Sequence, residues 1–249
     1  PNLIQAAARN ADRGIPDACL YEVGPQFSGD GPDDQAMMAT GVLSGKTGSR
    51  NWAEAPRAVD AFDAKAHALA ALAAAGAPVS NLQVTTDAPD FYHPGRSGVL
   101  RLGPKNVLAR FGEIHPGVLR KLGVKNAMVG FEVFLDAIPQ PKAKKSAAKP
   151  HLTLSQFQPV ERDFAFVVDV DTEAGKVVRA AMSADKSLIT AVNVFDVFVG
   201  GSLGEGKKSL AVNVTLQPVD KTLTDADIDN VAQSIVASVE KATGGTLRG

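Results

Sequence analysis

Apolar and polar positions alternate with different periods along the chain, and those periods place its elements. Leu3–Asn10 has helical spacing, Cys19–Val23 is extended, and Met37–Ser44 is apolar enough for a buried strand. Asp60–Ala75 is dominated by alanine and leucine and stops before Gly76 and Pro78, which predicts a helix. Val79–Thr85, Gly98–Leu102, Val107–Phe111 and Ala127–Leu135 read as strands separated by YHPGRSG and GPKN turns. A short helix is expected from Pro116, which suits a first helical position, to Gly123. Several strands in succession with few helices between them predict a largely antiparallel α+β sheet.

The pattern breaks at Pro139–His151, PQPKAKKSAAKPH. This stretch has no apolar periodicity and reads as an exposed, lysine-bearing linker between residues 1–138 and 152–249. Beyond it, Phe164, Phe166 and Val168 alternate with Ala165 and Val167, giving a strand. Glu173–Ala184 supplies a helix, Leu188–Phe198 a second strand, GGSLGEGKK a turn and Ser209–Gln217 a third strand. The last helix opens at Thr224, where Thr-Asp-Ala-Asp has the form of a capping box. Ile228, Val231, Ile235, Val239 and Ala242 recur at spacings of three and four, so one stripe faces a sheet. Thr246–Arg248 has room only for a closing edge strand. The order βαββαβ predicts a ferredoxin-like sandwich with helices on one face and an open sheet on the other.

Composition narrows the function classes. Of 249 residues 45% are hydrophobic and 21% charged, enough apolar mass for two packed cores. The longest apolar stretch, Ala68–Ala75, falls short of the roughly 20 residues of a membrane span, and no signal segment opens the chain. No membrane partner is therefore expected. A single cysteine, Cys19, excludes an internal disulfide framework and suits a cytoplasmic setting. The chain opens on Pro1-Asn2-Leu3 without an initiator Met, and is expected to be a piece of something longer.

Catalytic and metal motifs are sparse. His93 and His115 each precede a proline, in FYHPGR and GEIHPG, and neither has ligand spacing; each is expected to hydrogen-bond at its turn. His67, within the alanine-rich helix, and His151 are expected to face solvent. Cys19, with no basic neighbour, is expected to be a buried, inert thiol. GGSLGEGKKS precedes a strand, so it offers no helix N-terminus to a phosphate. No catalytic residue, metal ligand or cofactor site is assigned.

The open face of the second domain offers a binding surface instead. Period-two alternation sets Phe195 and Val197 on one side of their strand, with Asp196 and Phe198 on the other. Leu210, Val212, Val214 and Leu216 must meet the helices, leaving Ser209, Ala211 and Asn213 to share the outer face with Phe198. An aromatic ring on an open four-stranded sheet is a stacking platform for an unpaired base. Asp196 there accepts hydrogen bonds from a base edge, while Arg162, Lys207 and Lys208 neutralise phosphates. Against this, Phe198 capping the core and Lys207-Lys208 as a solubilising hairpin tip give the same pattern. From Leu152 onward nine Lys and Arg face thirteen Asp and Glu, so the domain is acidic.

The motifs, taken in order, resemble one family. YEVGP, the FDAK helix, YHPGRSG and FGEIHPGVL, followed by PVERDFAF, VFDVF, KKSLAV, TLTD and a terminal LR, resemble the C-terminal part of the β subunit of bacterial phenylalanyl-tRNA synthetases. The resemblance implies a class II synthetase-like module without catalytic residues, then a ferredoxin-fold anticodon-binding domain. It implies an (αβ)2 heterotetramer in which the α subunit uses ATP and Mg2+ to charge tRNA(Phe). It also implies that Asp196 and Phe198 engage the first anticodon base. Where the family has Phe-Asp-x-Tyr, this chain has Phe at 198, which keeps the stacking face and loses a hydroxyl. Two other readings remain open: a regulatory ferredoxin-like module that binds a small molecule, and a structural assembly module.

Overall fold

The computed structural model describes residues 1–140, 151 and 154–248. The chain divides into two compact units, Pro1–Lys145 and Ser146–Gly249. Most of the expected linker, residues 141–150, lies outside the described residues.

The first unit is built on a six-stranded antiparallel sheet. Its strands are β1 (Ala18–Phe27), β2 (Gln35–Ser44), β3 (Gln83–Thr85), β4 (Tyr92–Leu102), β5 (Asn106–Ile114) and β6 (Met128–Phe134). They lie in the order β1-β2-β6-β5-β4-β3. Helix α2 (Ala61–Ala74) covers one face, burying Ala64, Ala68 and Leu72 against Leu43, Leu108, Val129 and Val133. Asp60 caps it, accepting from the Phe62 and Asp63 N–H groups, so the alanine run starts with its orphan donors satisfied. Helices α1 (Asn2–Asp12) and α3 (Pro116–Lys121) belong to the opposite face, where Ile4, Ala7 and Leu119 join Val42, Tyr92, Ile114 and Met128.

Three expectations need correction here. Of Val79–Thr85 only Gln83–Thr85 is strand; Val79–Asn81 forms a 3-10 turn after Pro78. Strand β4 begins at Tyr92, so YHPGRSG lies within it and not in a turn, with the register slipping between Tyr92 and Ser97. Cys19 is exposed, because β1 is the edge strand and α2 packs over β5 and β6, leaving that edge uncovered.

The second unit follows the βαββαβ order read from the sequence. Strands β7 (Val160–Asp169), β8 (Ile189–Phe198), β9 (Lys207–Leu216) and β10 (Thr246–Leu247) form an antiparallel sheet ordered β10-β7-β9-β8. Helices α4 (Ala174–Ala184) and α5 (Asp225–Thr243) pack on one face. There Val177, Ala180, Val231, Ile235 and Val239 meet Phe164, Phe166, Val168, Leu210, Val212 and Val214. The Thr224 hydroxyl accepts from the Asp227 N–H, and the Asp227 carboxylate accepts from the Thr224 N–H, completing the expected capping box.

Candidate nucleic-acid interface

Register fixes what the uncovered face presents, since residues directly opposite in an antiparallel ladder point the same way. Val197 pairs with Leu210, Val194 with Val212 and Val192 with Val214, so these valines lie on the helix side, Val192 and Val194 in the core and Val197 still 54% exposed. Asp196 pairs with Ala211, Phe198 with Ser209 and Asn193 with Asn213, on the other face. Strict alternation cannot satisfy both sets, because Val194 and Asp196 are two residues apart. A β-bulge resolves the conflict: the register shifts between Val194 and Asp196, leaving Phe195 as the extra residue, 58% exposed. The expected placement of Phe195 among the core-facing residues is corrected accordingly.

On the outer face Phe198 is 42% exposed. Its ring closes over the following turn, where a Cβ at Gly200 would stand 2.5 Å from the ring Cζ, so only glycine leaves room for this rotamer. The floor beside it is made of small residues, Ala165 and Ala211, with Ser209 beneath and almost fully buried. Further along the face, Asn213 Nδ2 donates to Asp163 Oδ1 at 2.8 Å.

Arg248, at the end of the chain's last strand, completes the arrangement. Gly244 ends α5 in the left-handed conformation (φ 69°), and Gly245 then passes so close to β7 that a Cβ would meet Val168 Cγ1 at 2.5 Å. That approach lets Thr246 and Leu247 pair with Val167 and Phe166, and the Arg248 N–H donates to the Ala165 carbonyl at 2.7 Å. The parity of this edge strand puts Arg248 on the outer face. Its guanidinium carbon lies 5.7 Å from the centroid of the Phe198 ring, a cation–π contact. The alternation of Thr246–Arg248 was the available signal; partnership with a residue fifty positions away was not.

The structure sorts the expected basic residues. Lys207 is in β9, not in a turn; it shares the outer face, and its Nζ is 2.6 Å from Asp169 Oδ1. Lys208 is also in β9, opposite Val168, and Arg162 lies opposite Val214, so both belong to the helix-side face. Among the described residues, Arg162 Nη1 donates to the Glu161 carbonyl. The expected grouping of Arg162 and Lys208 with Phe198 is corrected: by the same alternation they lie on the other face of the sheet from Phe198, Arg162 exposed and Lys208 half-buried.

Two histidines hydrogen-bond to the backbone just beyond them, His93 within β4 and His115 at the start of α3. His93 Nδ1 accepts from the Gly95 N–H and His115 Nδ1 from the Gly117 N–H, at 3.1 and 3.0 Å. His67 is exposed and stacks beside Phe131. Among the described residues, no group of three or more His, Cys, Asp or Glu is placed to hold a metal ion, and no helix is long and apolar enough to cross a membrane.

The second unit thus presents an open four-stranded sheet carrying an exposed ring, a carboxylate and an arginine against the ring. Residues 155–248 match the family model of the ferredoxin-fold anticodon binding domain. Residues 1–135 match that of the phenylalanyl tRNA synthetase beta chain CLM domain, and the chain belongs to this synthetase β-chain family. Among curated relatives, the phenylalanine–tRNA ligase beta subunit of Paramagnetospirillum magneticum is 58% identical over 249 residues, covering 100% of this chain and 31% of the relative. The beta subunits of Brucella abortus and Rhodospirillum rubrum are 57% and 55% identical, each covering 100% of this chain, with 32% and 31% of the relative matched. The chain thus spans about a third of the length of the curated relatives it matches.

Proposed function

We propose that this chain serves as a non-catalytic, RNA-contacting part of a phenylalanine–tRNA ligase β subunit, reading the anticodon of tRNA(Phe) on the outer face of its second domain. The observation that carries this reading is the exposed Phe198 ring, stacked with Arg248 and neighboured by Asp196, on an open sheet within the anticodon-binding match. The first anticodon base stacks on Phe198, and the Asp196 carboxylate accepts hydrogen bonds from its Watson–Crick edge. Arg248 adds a cation beside the stack, and Lys207 is the phosphate contact, exchanging Asp169 for RNA. The acidic balance of the domain suits local reading of one base, with tRNA affinity shared over a larger assembly.

The domain boundaries proposed are 1–138, a linker at 139–151, and 152–249. In this reading the first domain is a class II synthetase-like module that supports assembly with the α subunit in an (αβ)2 heterotetramer in the cytoplasm. ATP, Mg2+ and aminoacylation belong to the α subunit.

Titration of a tRNA(Phe) anticodon stem-loop with the wild-type chain and with Phe198→Ala, Asp196→Ala and Arg248→Ala tests the site. Loss of one stacking contact, about 1–3 kcal/mol, weakens binding roughly 5- to 150-fold. Folded variants that bind like wild type would remove these residues from the interface. Phenylalanine-dependent ATP–pyrophosphate exchange by this chain alone would contradict the non-catalytic assignment.

A further inference from the structure

The first unit holds a cavity of about 530 Å3 on the α1 face of its sheet, within the usual range for a small-molecule site. Its walls are apolar: Ile4 from α1, Met38 and Val42 from β2, Tyr92 from β4 and Ile114 from β5 are all buried around it. Two glycines clear its floor and mouth. A Cβ on Gly130 would crowd the Gly41 carbonyl at 3.1 Å and Ile114 Cδ1 at 3.4 Å, whereas one on Gly24, at the rim, would meet nothing within 4 Å.

The Glu132 carboxylate reaches into this apolar space. Glu132 of β6 lies in a cross-strand row with Thr40 and Glu22 on one side and Arg110 on the other. Its Oε2 is buried with no hydrogen-bond partner among the described residues. Arg110, the obvious counter-ion, places its guanidinium 4.9 Å from the centroid of the Phe134 ring instead. A buried, unpartnered carboxylate oxygen costs stability, and a ligand that satisfies it recovers that cost. Glu22 at the rim adds a second carboxylate; the Pro1 amino group also lines the cavity, yet it makes no hydrogen bond to Glu132 Oε2, so that oxygen stays open to a ligand's ammonium.

We propose that this cavity binds a small molecule with an apolar body and a protonated amino group, the ammonium hydrogen-bonded to Glu132 and the body packed against Ile4, Val42 and Ile114. The cavity belongs to the first unit, and the proposal does not rest on the RNA reading of the second. Three near-isosteric probes separate head-group chemistry: cyclohexylmethylamine, cyclohexylmethanol and cyclohexanecarboxylate. Each is titrated into the chain while the methyl NMR signals of Ile4, Val42 and Ile114 are followed.

The amine should bind at least tenfold more tightly than the alcohol and the carboxylate, shifting those methyls. Glu132→Gln should reduce the amine to the level of the alcohol while leaving the alcohol unchanged. Gly24→Leu, at a position with room for a side chain, should weaken amine and alcohol together. An amine that binds no better than the alcohol, a preference that survives Glu132→Gln, shifts outside the cavity, or no binding of any probe would each overturn the proposal.

Discussion

Deleting Phe195 tests the geometry of the outer face without touching either proposed reading residue. In the ladder, Val194 pairs with Val212 and Asp196 with Ala211, and Phe195 is the residue without a place. Removing it leaves Val194 facing the helices and Asp196 outward in an uninterrupted two-residue alternation, with Phe198 still opposite Ser209. A strand without a bulge would behave in the opposite way, since deletion there reverses one half relative to the other. The stability cost is bounded by burial. Phe195 is 58% exposed, so at about 1.5–3 kcal/mol for a fully buried large side chain its loss costs about 1 kcal/mol. Urea unfolding of the deletion variant should therefore show a shift near that size with an unchanged slope. Its affinity for the anticodon stem-loop should stay within about threefold of wild type, well under the effect of losing one stacking contact. A stability loss above about 3 kcal/mol, or a tenfold weaker complex from a folded variant, would show that Phe195 is not the extra residue and that the faces are set otherwise.

Gly200→Ala should displace the Phe198 ring, because the new Cβ would stand 2.5 Å from Cζ; stem-loop binding should fall several-fold with little change in melting temperature. Thr224→Ala removes the cap of α5 and should cost about 0.5–2 kcal/mol in chemical denaturation. Asp227 is held down to about 2, first by the Thr224 N–H and then by Lys221. Its folded value lies below the ordinary 3.8, so its contribution is present above that value and is lost as pH falls toward 2; Asp227→Asn should flatten that part of the acid-unfolding curve. Burial pushes Glu132 up, against weaker opposing pulls from Arg110 and the Pro1 amino group. A raised carboxyl makes ionisation costly to the fold as pH rises through the folded value. Glu132→Gln should therefore stabilise the chain at pH 7, and the gain should vanish below the ordinary value of 4.5, read by chemical denaturation at the two pH values.

Features with local causes were legible in the sequence. The apolar stripe of α5, its Thr224 cap, the alanine-rich α2 and the parity of β9 each depend on residues within one or two turns or on a run of alternation. What failed depended on pairing between distant segments. The bulge at Phe195 is visible only once β9 fixes which valines face the helices, and Lys207 and Lys208 are strand residues because β7 extends to Asp169 opposite them. Arg162 was placed by chemistry, although its position next to Asp163 in the alternation of Phe164 and Phe166 already put it on the helix side. Arg248 reaches Phe198 because two glycines return the chain to β7, a route that no local rule encodes. Glu132 looked like an ordinary strand residue, since its burial comes from a cavity assembled by α1, α3 and five strands.

The central claim is that the Phe198 ring stacks on the first anticodon base, and a double-mutant cycle tests it most directly. Dissociation constants are measured for the wild-type chain and Phe198→Ala, each with an intact anticodon stem-loop and with one made abasic at the first anticodon position. If ring and base stack, the losses overlap, and the cycle gives a coupling energy of about 1–3 kcal/mol. If the two changes add to within about 0.5 kcal/mol, the ring and that base do not meet.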